Sequence, residues 1–219
     1  MFYEKLNNIY RNTDCSKLFP ETLVHNLELF VKNSLNAGYS FINPYRFAFE
    51  FNLSTRDSLK FFMYFTDTDG IFNISLFIEC STPACVSQQI FINNQLLQEE
   101  GVDHILFCQE CDKDYEIEEI FPYIKTYFTL NPDADKLLHK ENNDPNSTYE
   151  TFKGLPDNLK PLSPSSLASI DGGAPTLEEV IESNVNAAGE PISSEVARIE
   201  ATISPTSKLT QLIKGRGLK

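Results

Sequence analysis

The chain is short of most of what a catalytic or membrane-embedded protein displays. No run approaches the ~20 consecutive apolar residues that span a bilayer, and the N-terminus lacks the basic-then-apolar pattern of a secretory signal. These absences predict a cytoplasmic protein with no membrane span. The glycines form no phosphate-cradling loop, no G-x-S-x-G elbow is present, and no H-E-x-x-H appears. The three histidines, His25, His104 and His139, are dispersed, so no Cys–His nucleophile pair has sequence support. The deaminase arrangement is also missing, because Pro83-Ala84-Cys85 lacks the required spacing, although Cys108-x-Glu110 resembles part of it. The expectation is therefore a non-enzyme with no catalytic residues.

Positive charge is scarce where it would matter for nucleic acid. Residues 67–120 carry twelve Asp and Glu against one basic residue, Lys113, whereas residues 1–66 are close to neutral with six acids and seven bases. The net charge of −13 is thus concentrated in the middle of the chain. Such a surface repels phosphate backbones and suits a basic protein partner, or it serves only as a solvated acidic face.

Five cysteines are present, and four form two close pairs, Cys80/Cys85 and Cys108/Cys111, each following an apolar strand-like run. In a reducing compartment an odd count favours thiols and metal over disulfides. Spacings of C-x4-C and C-x2-C fit two knuckles that present four sulfurs to one structural Zn²⁺. The expected metal ligands are Cys80, Cys85, Cys108 and Cys111. Four reduced core thiols, or a redox pair at Cys108/Cys111, are the alternatives. Acidic neighbours of the second pair are expected to raise the thiol pKa values. His104 is the one other potential ligand nearby, and Cys15 reads as a small packing residue.

The rest of the chain reads as α+β. Helical spacing marks residues 2–12 and then Glu21 to about Ala37, stopped at Gly38. Asn43-Pro44 opens a third helix, and Ser54 with Asp57 caps a fourth that ends at Asp67-Thr68-Asp69-Gly70. Ile71 to Glu79 alternates as a half-buried strand, Ile90-Phe91-Ile92 and His104 to Phe107 follow as strands, and β character is expected from Tyr115 to Phe121 and from Tyr123 to Leu130. Residues 131–175 read as linker. Within 176–219, three islets carry apolar stripes, too short to hold helix alone.

Two helices, a turn and an amphipathic strand follow the order of a winged helix-turn-helix. The fourth helix would take the recognition position, but it offers only Arg56 and Lys60 against Asp57, Asp67 and Asp69, with Phe61, Tyr64 and Phe65 crowding its surface. From Ala37 to Leu130 the pattern resembles the cysteine-containing winged-helix domain found beside bacterial class III nucleotide cyclases and in related bacterial signalling proteins. The similarity lies in Asn43-Pro44-Tyr45-Arg46-Phe47-Ala48, Gly70-Ile71, Cys80-Ser81-Thr82-Pro83-Ala84-Cys85 and Cys108-Gln109-Glu110-Cys111. The family has a tighter Cys-Pro-x-Cys in the first knuckle, and no cyclase catalytic domain follows. The resemblance implies an interaction or regulatory module and supplies no catalytic residues.

The expected organisation is a winged-helix-like part at 1–70, a small antiparallel β region with a four-cysteine zinc-ribbon-like site at 71–130, a linker at 131–175 and a tail with docking helices at 176–219. The expected function is a non-catalytic adaptor or regulatory subunit of a bacterial multi-protein system. Its protein partner would be engaged by the tail, residues 176–219, and by the acidic 67–120 surface. The alternative is a winged-helix DNA-binding transcription regulator.

Overall fold

The computed structural model describes residues 1–67, 69–82, 85, 89–92, 105–142 and 174–203. In chain order these form α1 (Phe2–Asn12), α2 (Cys15–Leu18), α3 (Thr22–Asn36), α4 (Pro44–Glu50) and α5 (Thr55–Met63). Then come β1 (Phe72–Glu79), β2 (Gln89–Ile92), β3 (Ile105–Phe107), β4 (Asp114–Glu116) and α6 (Ile117–Ile120). A 3-10 turn (Phe121–Tyr123) leads to β5 (Lys125–Leu130), α7 (Pro132–Asn142), α8 (Leu177–Ser183) and α9 (Ser194–Ile203). The class is α+β, as the periodicities predict. β1 lies between β2 and β5 in one sheet, while β3 and β4 form a separate antiparallel hairpin.

The chain divides into two compact units, residues 1–74 with 127–175, and residues 75–126 with 176–219. The boundary expected at residue 70 falls inside the first unit, and the C-terminal end of β5 belongs there too. Among the described residues no helix is long and apolar enough to cross a membrane.

In the first unit, local chemistry sets the helix ends. The Asn43 side-chain oxygen accepts from the backbone N–H groups of Tyr45 at 2.8 Å and Arg46 at 3.4 Å, with Pro44 as the first helical residue. Ser54 Oγ accepts from Asp57 N–H at 3.0 Å. Gly38 stops α3 at φ +84°, a conformation that costs a side chain strain, and its N–H donates to the Leu35 carbonyl at 2.9 Å.

The core of this unit is aromatic. The Phe62 ring meets Phe47 at 5.4 Å, Phe72 at 5.3 Å and Phe128 at 5.4 Å between centroids. Phe61, Tyr64 and Phe65, expected to crowd the outer surface of α5, are themselves buried. Only Thr55, Arg56 and Asp57 of α5 are exposed. Cys15 opens α2 fully buried, where burial pushes its thiol pKa up, as fits a small packing residue.

Three expectations need correction. Residues 131–142 are not linker. Asn131-Pro132 repeats the cap-then-proline signature of Asn43-Pro44: Asn131 Oδ1 accepts from Ala134 N–H at 2.7 Å, while its Nδ2 donates to the Gly70 carbonyl at 2.7 Å. Ala134 and Leu138, four apart, bury one face of α7. The rest of the expected linker, up to residue 173, lies outside the described residues. Second, the strand expected from Tyr115 to Phe121 ends at Glu116. Ile117-Glu118-Glu119-Ile120 places apolar residues three apart and forms a helical turn, and Pro122, which has no N–H to give a ladder, sits in the 3-10 turn.

Third, the start of the tail is not a free tether. Thr176 and Glu179 form a reciprocal capping box at α8, as the sequence predicts. Leu177 N–H then donates to the Ile124 carbonyl at 2.8 Å, and Thr176 bridges Lys125, so the segment adds to the edge of its own unit. Leu177, Val180, Val196 and Ile199 are buried there. These four side chains are covered within the chain, whereas Val185 is 37% exposed. The last islet, Leu209 to Ile213, lies outside the described residues.

Removing the hub of the aromatic core should be costly. Phe62→Ala is expected to destabilise the protein by about 3–5 kcal/mol, read as a lower midpoint in urea denaturation followed by far-UV circular dichroism.

Candidate metal centre

The second unit brings the two cysteine pairs together. β1 ends at Glu79 and delivers Cys80. Cys85 N–H donates to the Thr82 carbonyl at 2.9 Å, and the Cys85 sulfur lies beside that of Cys80 despite the four-residue spacing. From the other side the β3–β4 hairpin supplies Cys108 and Cys111. Cys108 N–H donates to the Lys113 carbonyl at 3.0 Å, and Asp112 N–H donates to the Cys108 carbonyl at 2.8 Å. Asp112 takes φ +54°, the left-handed conformation that Asp tolerates better than most residues.

All four sulfurs lie within 4.8 Å of one another. Cys80 Sγ is 3.7 Å from Cys111 Sγ, and Cys108 Sγ is 3.9 Å from Cys85 Sγ. A tetrahedron with metal–sulfur bonds of ~2.3 Å has edges of about 3.8 Å. A disulfide needs ~2.05 Å. The spacing thus matches four ligands around one centre, and the set can hold a metal ion. The four sulfurs bring the end of β1 to the β3–β4 hairpin, all within the second unit.

Burial divides the set. Cys85 and Cys108 are buried, whereas Cys80 and Cys111 are half-buried. Tyr115 Oη donates to Cys80 Sγ at 3.1 Å, and Thr82 N–H donates to the same sulfur at 3.4 Å. Tyr115 Oη in turn accepts from Ser81 N–H at 3.0 Å. Lys113 Nζ donates to Ser81 Oγ at 2.7 Å and lies 5.2 Å from the centre of the Tyr115 ring. The Thr82 hydroxyl is 3.3 Å from Cys111 Sγ.

These donors correct the expected thiol pKa values. Cys80 is lowered to about 6, chiefly by the Tyr115 hydroxyl, and Cys111 is lowered, chiefly by the Thr82 hydroxyl. Short hydrogen bonds to sulfur outweigh the surrounding carboxylates, which are solvated and screened. Cys85 goes the other way, because burial penalises its thiolate. A metal cation would reverse that penalty by supplying the missing positive charge.

The sequence picked the four sulfurs and missed their support. Tyr115 was legible only as an apolar strand residue. Its cross-strand pairing with Leu106 places it on the inner face of the hairpin, where its hydroxyl meets Cys80. His104, the other potential ligand, lies outside the described residues, and Tyr115 is the residue that donates to Cys80 Sγ. His25 is a surface residue with its side chain 60% exposed, and no ligand set surrounds it among the described residues.

The Cys80 thiolate should be detectable by its reactivity. In metal-free protein, mass-mapped alkylation of Cys80 should rise with pH around a midpoint near 6, because the lowered pKa leaves thiolate populated above that value. Tyr115→Phe removes the donor and should move the midpoint up towards the ordinary 9.0. An unchanged midpoint would show that the hydroxyl does not set it.

Set against family models, curated proteins and solved structures, the chain matches none.

Proposed function

We propose that this protein is a non-catalytic interaction module, an adaptor or regulatory subunit, whose second unit is built around one structural zinc ion. The observation that carries the reading is the closed sulfur set. Four thiols at tetrahedral spacing fill every position of a four-coordinate ion, leaving no site for a substrate or an activated water. Thiolate softness and tetrahedral spacing favour zinc among the common ions, with a single iron centre as the nearest competitor. In such a site the ion's role is to hold strands that the small sheet could not hold by burial alone.

The adaptor reading draws on charge as well. The segment that carries the site is strongly acidic, and its hairpin exposes Ile105 and Phe107 at 51% and 57%. Exposed apolar side chains among acids suit a basic, partly apolar protein surface. The winged-helix resemblance, which rests on motifs and element order, fits the same class of signalling module. The DNA-binding alternative is weaker, because α5 spends most of its surface on the core and exposes Arg56 beside Asp57.

Metal analysis of protein purified without affinity tags or added zinc should give one zinc per chain. Cys85→Ser and Cys108→Ser should each lower zinc content and the thermal midpoint together. Zinc-free wild-type protein with an unchanged midpoint would end the scaffold reading. Titration with random duplex DNA at low salt should show no salt-dependent binding, whereas a DNA regulator would bind measurably. Capture from native lysate should recover a protein partner with wild-type protein and lose it with Cys85→Ser. Equal recovery would remove the metal unit from the interaction.

A further inference from the structure

The outer face of the metal-held hairpin has a specific chemistry. β3 and β4 pair antiparallel with Ile105 opposite Glu116 and Phe107 opposite Asp114. Directly opposed residues, and residues two apart on one strand, share a face. Ile105, Phe107, Asp114 and Glu116 therefore lie together, and all four are exposed. The intervening pair, Leu106 and Tyr115, occupies the other face, on which Tyr115 reaches Cys80. One side of a two-stranded ribbon thus serves the metal site, and the other offers two apolar side chains flanked by two carboxylates.

The chain carries a segment of the complementary kind. Residues 204–219 contain Lys208, Lys214, Arg216 and Lys219 and no Asp or Glu. Leu209, Leu212 and Ile213 are spaced three and four apart, the spacing of one helical face. This is the strongest concentration of positive charge in a chain of net −13, and it follows directly on α9, which belongs to the same unit as the hairpin.

We propose that residues 204–219 dock in cis on the outer face of the β3–β4 hairpin. Leu209, Leu212 and Ile213 would cover Ile105 and Phe107, with Lys214 and Arg216 near Asp114 and Glu116. The inference builds on the adaptor reading, because a segment that covers this face would compete with any basic partner for it. Exposed ion pairs are individually weak. Tethering compensates, since a short linker holds the segment at an effective concentration in the millimolar range.

The test uses the full chain with a photo-cross-linking side chain, p-benzoylphenylalanine, in place of Phe107. Irradiation of the monomer should join position 107 to a peptide within 204–219, identified by mass spectrometry. Combining Lys208→Glu, Lys214→Glu and Arg216→Glu should reduce that product roughly fivefold or more, as expected for charge-guided docking. The proposal is overturned if no product maps to 204–219, if charge reversal leaves its yield unchanged, or if the yield rises in proportion to protein concentration, which would place the segment of a second copy there. Zinc content measured on the same samples separates the two readings: one zinc per chain with no product rejects the docking alone, and zinc-free protein rejects the metal scaffold.

Discussion

The second unit is organised by four sulfurs held within 4.8 Å of one another. The elements around them are short: β3 and β4 have three residues each and α6 has four. A two-stranded ribbon of that size is marginal in water. The cysteine side chains bring the end of β1 and the hairpin together, approaching from both. The first unit needs no such device, because Phe47, Phe62, Phe72 and Phe128 interlock in its interior. Both units bury apolar side chains, and the second adds a convergence of four sulfurs that can hold a metal ion.

The same convergence shapes the electrostatics. Thiolates gathered in one place repel one another, and the Tyr115 hydroxyl and Thr82 N–H donate to the more accessible Cys80 sulfur. Tyr115 reaches Cys80 and is itself oriented by Ser81, which Lys113 contacts. This is outer support of the kind that orients first-contact ligands in metal sites. It also places Lys113, the single Lys or Arg of the 67–120 segment, beside the sulfur cluster, on a surface that is otherwise acidic. The hairpin therefore has two roles: its inner face holds the site and its outer face presents Ile105 and Phe107 between carboxylates.

The ends of the elements were legible because they depend on single residues. Asn43-Pro44, Ser54 with Asp57, Gly38, and Thr176 with Glu179 each announce a helix boundary through one hydrogen bond or one backbone angle. The same signature at Asn131-Pro132 opens α7, but the polar residues after it give the segment a linker's composition and obscure the Ala134–Leu138 stripe. Turn chemistry and cap chemistry use the same residue types, and only the apolar residues downstream distinguish them. The β reading of Tyr115 to Phe121 failed for a related reason: Ile117 and Ile120 fit a helical turn as well as a strand over so short a run.

The sequence by itself determined the class of the fold, the helix caps, the alternation of β1 and the identity of the four clustered sulfurs, since each depends on residue type at short spacing. Tertiary structure alone decided that the tail's apolar stripes at Leu177, Val180, Val196 and Ile199 are buried within the chain. It alone also decided that Tyr115 turns its hydroxyl to Cys80 and lowers that thiol's pKa. These depend on groups far apart in sequence meeting in space, and no local pattern encodes which surface an amphipathic stripe will find.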